Sequence, residues 1–196
     1  MKILIFDCET SGLNHNWNKM LQLSWQLVDT KHWKVLSRQN FYFRHPGKNK
    51  VEEEAIRVNG LTKEALEHLG TVPRSKAIKA FAKDMAISDL CVAHNFNFDS
   101  NFIFNEDKKN LISWKKGYCT MHGTTNLCKI EFGYRPYWID DNQEYKWPKL
   151  IELARFLNVD YSKIHLHDSA GDVELTKRCF RKLLRIEWVK EDIFLI

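Results

Sequence analysis

Two acidic residues, Asp7 and Glu9, stand two positions apart in the segment FDCETSGL (Phe6–Leu13). The residues around them, Lys2–Cys8 (KILIFDC), form a short apolar run rich in Ile and Phe, which reads as a buried strand. Residues i and i+2 of a strand point to one face, so the two carboxylates lie side by side at its C-terminal end, next to a Ser11-Gly12 turn. Like charges on an apolar strand repel and are costly to desolvate. A bound cation relieves both problems, and an all-oxygen donor set selects a hard ion such as Mg²⁺ or Mn²⁺. The spacing alone is not selective. With 25 Asp+Glu in the chain, chance supplies about 0.8 D-x-E. A second, Asp172-Val173-Glu174, falls in a predicted helix, where i and i+2 diverge. Solvated acids at a strand end are the alternative reading of the first pair.

Two other segments hold groups of the same kind. In VAHNFNFDSNFI (Val92–Ile103) a buried strand ends at His94-Asn95 and Asp99 opens a helix, either as its N-cap or as a further carboxylate. In HDSAGD (His167–Asp172) His167 precedes a helix and Asp172 lies in its first turn. Asp168 is the better N-cap there, which leaves Asp172 free. His167 is the residue type that exchanges protons near neutral pH, and His165 is a nearby competitor for that role.

The elements that must position these groups are legible from periodicity. After the first strand, Leu21, Leu23, Trp25 and Leu27 alternate with Gln22, Ser24 and Gln26, the pattern of a half-buried strand. Val35–Phe43 reads as a third strand, and the short connections predict an antiparallel meander. The period then changes. Ile78, Phe81 and Met85 form a helical stripe within Pro73–Ala86, Asp89–His94 is a buried strand, and a helix follows near Asp99–Phe104. Pro148–Asn158 is a helix with Pro148 in its first turn, and a last helix from Asp168 to about Ile186 turns Val173, Phe180 and Leu184 inward. Strands first, then alternating helix and strand, predict an α/β mixed sheet with helices packed on it.

Taken together in this order and spacing, FDCETSGL, HNFNFD and the His167–Asp172 pair resemble the DEDDh family of 3′–5′ exonucleases, the proofreading-subunit-like group on the RNase H-like fold. The resemblance covers nearly the whole chain, with Val58-Asn59-Gly60-Leu61-Thr62 and Cys119-Thr120 as secondary landmarks and Ser169 as a departure where Ala is usual. It implies a mixed five-stranded sheet (antiparallel meander, then parallel strands) flanked by helices, in one exonuclease domain over residues 1–196. It further implies two divalent ions, Mg²⁺ or Mn²⁺. Asp7 would bridge them, Glu9 and Asp172 would complete the first, Asp99 would serve the second, and His167 would be the general base. The substrate would be the 3′ end of a nucleic acid, preferably single-stranded DNA, with nucleoside 5′-monophosphates released. Thr10, Gly12, Leu13 and Asn95 would contact the terminal nucleotide. A 3′–5′ exoribonuclease and a non-catalytic nucleic-acid-binding module on the same fold are the alternatives.

Composition sets the outer bounds. The chain has 196 residues, 44% hydrophobic, enough for one sizeable core. No uncharged apolar run approaches the ~18 residues of a membrane span, and Lys2, Asp7 and Glu9 break up the start against a signal peptide. Five scattered cysteines without C-x-x-C argue against a disulfide framework and for a reducing, cytoplasmic setting. The net charge of +5 is compatible with a polyanionic partner. The segment 132–148 is polar and aromatic at once (Tyr134, Tyr137, Trp138, Tyr145, Trp147), either a base-stacking surface or a loop pinned by its own rings. Arg178, Arg181, Lys182 and Arg185 form a charged face on the last helix, to follow phosphates or simply to be solvated. The short stretch Ile186–Ile196 leaves little for a polymerase-docking tail, and its apolar end, Ile193–Ile196, is expected to fold back or to mediate dimerisation.

Overall fold

Alternate side chains of a strand enter opposite layers, and in the first strand this parity decides where the acids go. Leu4, Phe6 and Cys8 enter one apolar cluster, while Ile3 and Ile5 enter another. Asp7 and Glu9 continue the odd-numbered row. The computed structural model describes residues 1–45, 52–70, 72–137 and 139–189. Its elements are β1 (Lys2–Thr10), β2 (Met20–Asp29), β3 (Lys34–Tyr42), α1 (Glu53–Asn59), α2 (Lys63–Leu69), α3 (Arg74–Ala86), β4 (Leu90–Ala93), α4 (Phe96–Glu106), β5 (Gly117–Cys119), α5 (Thr120–Gly123), α6 (Thr125–Cys128), α7 (Leu150–Phe156) and α8 (Ser169–Arg185). The five strands form one sheet in the order β3-β2-β1-β4-β5. β1, β2 and β3 are the antiparallel meander, and β4 and β5 are added in parallel.

α3 and α4 cover the even face of β1, with Ile78, Phe81, Met85, Phe102 and Ile103 in that layer. α7 and α8 cover the odd face through Leu153, Ala154, Val173, Leu175, Phe180 and Leu183. Phe6 anchors the first layer, its ring edge-on to Phe81 at 5.5 Å and to Phe96 at 5.4 Å. Trp25 extends the same stack and donates its indole N–H to Asp84 at 2.8 Å.

Several expectations are corrected. β2 is buried on both faces rather than half-buried. Its polar residues do not meet water but form a bonded seam under α8. Gln22 donates to Asp168, Ser24 shares a 2.7 Å hydrogen bond with Ser169, and Gln26 bonds to Glu174 at 3.1 Å. Alternation here reports polar packing, which period-2 reasoning cannot tell from exposure. Asp99 is not an N-cap. α4 starts earlier, Asn95 caps it with φ 75°, and Asp99 lies in the first turn with its side chain buried. Pro148 lies outside α7, whose N-cap is Lys149, and its carbonyl is bonded to His94 at 3.0 Å. On α8 it is Leu183, not Leu184, that is fully buried. α1 and α2, two short helices beyond β3, carry too little apolar periodicity to be read; only Leu66 is buried between them. Trp138 and the Ile193–Ile196 end lie outside the described residues.

The even-face layer carries the stability that holds β1 in place. Phe6→Ala is expected to cost about 3–5 kcal/mol, the usual loss for a buried Phe. Leu36→Ala on the exposed edge strand β3 should cost under about 0.5 kcal/mol. Urea denaturation of the two variants beside the parent checks both values.

Candidate active site

The odd row of β1 and the first turn of α8 meet at one point. Asp7, Glu9 and Asp172 each offer a carboxylate oxygen, and these oxygens lie within 4.8 Å of one another. All three keep some accessible surface, so the cluster lies in a cleft. Asp99 joins from the neighbouring edge. β4 stops at Ala93 after pairing with Ile3–Ile5 of β1. Past that point the edge of β1 is met by the first turn of α4, and Asp99 accepts the Cys8 N–H at 3.0 Å and the Cys8 thiol at 3.2 Å. A register shift at Glu9/Thr10 closes the strand, the kind of irregularity that re-aims side chains next to sites.

Acids gathered in this way resist ionisation. Asp7 is held far above the ordinary carboxylate range, first by burial and then by the charges of Asp99, Asp172 and Glu9. Burial, then Asp172, pushes Glu9 up to about 8, against a hydrogen bond from Asn59 that stabilises its anion. Asp99 is raised by burial to about 7, with the two Cys8 bonds opposing. Asp172 is raised to about 6 by burial and by Asp168, while the His167 backbone N–H and the charge of His165 pull it down. The donor set is all oxygen and its members repel one another. That is the chemistry of a hard divalent-cation site, where the cation replaces the protons.

The remaining expected residues divide. His167 stands immediately before the α8 N-cap in a left-handed conformation, φ 60°. Its backbone touches Asp172 and its side chain is exposed. Gly171 lets the chain cross over the first turn of α8, because a Cβ there would overlap the His165 carbonyl. Ser169, the departure from the usual Ala, is fully buried and satisfied by Ser24, so the substitution is matched on β2. Thr10, Gly12 and Leu13 line a cavity of about 250 Å³ together with Glu9, Val58, Asn59 and Phe98. Gly12 has φ 157°, which L side chains rarely adopt, and a Cβ there would displace the ends of the Glu52 and Asn18 side chains. Asn95 is the turn residue at the start of α4, with φ 75°, and lies outside the residues lining that cavity. His94 is likewise structural, held neutral by burial that lowers it to about 4, and bonded to Thr120 at 2.9 Å.

Residues outside the expected set also shape the site. Asp168 adds charge beside Glu9 and Asp172 while accepting from Gln22 and from the Tyr42 hydroxyl. Asn59 bonds Glu9 and, at 3.2 Å, the Thr10 carbonyl. Its one mark in the sequence is its place in the landmark Val58-Asn59-Gly60-Leu61-Thr62, which carries no role for it. Glu52 lines the cavity and is fixed by Asn18 at 2.9 Å; nothing in its local sequence marks it. The charged face of α8 is partly engaged, with Arg178 bonded to Glu174 at 3.0 Å and Arg181 stacked over Trp33. In the 132–148 segment, Arg135 gathers the Asp140, Asp141 and Gln143 carbonyls and covers the Phe132 ring, which pins the loop.

The RNase_T family model, described as an exonuclease, matches residues 4–180, and the chain belongs to that exonuclease family. Escherichia coli Exonuclease I in complex with a dT13 oligonucleotide superposes with a TM-score of 0.73 at 15% identity, covering 95% of this chain and 42% of that one. The Exonuclease I of Methylocaldum szegediense gives 0.69 at 14% identity over 94% of this chain and 40% of that one. The zinc-bound form of the E. coli enzyme with single-stranded DNA gives 0.72 at 15% identity, over 98% and 42%. These likenesses establish the same mixed-sheet fold, and the chain spans about two fifths of the length of those structures. No curated protein matches the sequence. Among the described residues no helix is long and apolar enough to cross a membrane.

The raised carboxylates fix a pH dependence. Their folded-state pKa values exceed the unfolded ones, so the folded chain holds extra protons above about pH 4. Stability without divalent ions is therefore expected to fall as pH rises from 5 to 8. Mg²⁺ should restore it most at pH 8, where it competes with the fewest protons. Melting temperature against pH, with Mg²⁺ and with chelator, reads both effects.

Proposed function

We propose that this chain is a 3′–5′ exonuclease that removes nucleoside 5′-monophosphates from single-stranded DNA with the help of two divalent ions, Mg²⁺ or Mn²⁺. The observation that carries this reading is the meeting of Asp7, Glu9 and Asp172 within 4.8 Å. When bound, paired ions lower the pKa of water and stabilise the leaving oxygen. Asp7, Glu9 and Asp172 would hold them, with Asp99 beside the cluster. His167 would take the proton of the attacking water on a ring nitrogen; its exposed side chain and the strained backbone before α8 support that role. The cavity of about 250 Å³ beside Glu9 would receive the terminal nucleotide. Leu13, Val58 and Phe98 offer apolar surface to the base, and the Gly12 backbone allows close approach. Thr10 contributes through its backbone, because its hydroxyl is donated to the Gly12 carbonyl at 2.7 Å. DNA as substrate is supported by the oligodeoxynucleotides held by E. coli Exonuclease I. We place the protein as a single exonuclease domain in the cytoplasm, a setting that suits its five free thiols.

Asp7→Ala and Asp172→Asn are each expected to reduce hydrolysis of 5′-labelled single-stranded DNA to near background. His167→Ala should lower the rate by about 10²–10⁴-fold while Mg²⁺ still raises the melting temperature. Matched single-stranded DNA, duplex DNA and RNA digested with Mg²⁺, Mn²⁺ and chelator test the substrate. Full activity in either Asp variant overturns the assignment, and damage from His165→Ala instead of His167→Ala moves the base to His165.

A further inference from the structure

The loop between β1 and β2 presents a large aromatic ring on a rigid mount. Trp17 is 75% exposed and Leu13 82%. The loop that carries them is closely bonded. Ser11 N–H donates to the Lys19 carbonyl at 2.8 Å, Lys19 N–H to the Ser11 hydroxyl at 2.9 Å, and Trp17 N–H to the Asn14 carbonyl at 3.0 Å. Asn18 ties the loop to Glu52 at 2.9 Å. The backbone that presents the ring is therefore fixed. The loop is also docked on α4. The Asn105 amide reaches both the His15 carbonyl and the His15 ring, and that ring packs edge-on to Phe102 at 6.2 Å.

Just past Asn105, α4 ends in a second groove of about 300 Å³ between its last turn and the start of α3, bordered by Lys79, Lys108 and Lys109. All three lysines are exposed and none is in an ion pair among the described residues. The acids beside them are spent elsewhere. Asp107 accepts the Leu111 and Ile112 N–H groups at 2.9 and 2.8 Å, and Glu106 faces Arg74 at 3.5 Å. The groove is net cationic and suits a polyanion.

Phe98 belongs to the terminal-nucleotide cavity and Glu106 to the lysine groove. Eight helical steps separate them, about 12 Å at 1.5 Å per residue. At ~3.4 Å per stacked nucleotide that is between three and four nucleotides. We infer that the β1–β2 loop and the end of α4 form a second binding track for single-stranded nucleic acid, in which Trp17 stacks a base 5′ of the terminal nucleotide and Lys79, Lys108 and Lys109 take backbone phosphates. The inference rests on the exonuclease reading and deepens it. It makes binding length-dependent, with a gain beyond about four nucleotides.

The test is binding of fluorescein-labelled DNA, a dinucleotide and an octanucleotide, to the full chain in chelator. Trp17→Ala is expected to weaken octanucleotide binding about 5- to 100-fold and dinucleotide binding less than twofold, with Trp17→Phe retaining most of the affinity. The Lys108→Gln/Lys109→Gln variant should flatten the slope of log affinity against log salt by about 1.4 for the octanucleotide. Circular dichroism confirms that the variants are folded. If the parent degrades DNA yet both variants bind the octanucleotide as the parent does, or lose both lengths equally, the track is refuted and the exonuclease reading stands. If the parent neither binds nor degrades any oligonucleotide, the exonuclease reading itself fails.

Discussion

Mutual repulsion among buried carboxylates is the constraint around which this molecule is arranged. Asp7, Glu9, Asp99 and Asp172 come from three separate stretches of chain and converge where burial raises each of them. Such a cluster is unfavourable in a bare protein. It is held together by the well-packed layers on either side of β1. A hard cation bound there would change the sign of the interaction and let the acids ionise.

The sheet supplies the convergence through simple geometry. Strand parity sends Asp7 and Glu9 to the α8 face while Phe6 and Cys8 lock the strand from the other. The early end of β4 leaves a β1 N–H unpaired by strand, and Asp99 takes it. The polar residues of β2 then seat α8 so that its first turn faces the acids, through Gln22 with Asp168 and Ser24 with Ser169. A single arrangement thus satisfies backbone, polar and apolar demands at the same place, the agreement between levels expected of a foldable sequence.

Much of this was legible beforehand. The meander, the α3 stripe and the β4 strand follow from period, because that signal is local, whereas the acids of FDCETSGL and HDSAGD stand out only through the resemblance carried by the three motifs together. What escaped was non-local. The alternation in β2 looked like a solvent face because sequence does not show α8 lying over Gln22, Ser24 and Gln26. Local sequence leaves Asp99 open between a cap and a further carboxylate, because the demand it meets belongs to Cys8, a residue 91 positions away. Glu52 and Asp168 gained meaning only from what folding placed beside them.

The most direct measurement of the central claim is proton exchange on cation binding. MgCl₂ titrated calorimetrically into the chelator-treated protein at pH 7, in buffers of different ionisation enthalpy, should show release of about one proton or more per protein as the ion displaces those held by the cluster. A binding enthalpy independent of the buffer, or net proton uptake, would contradict the account.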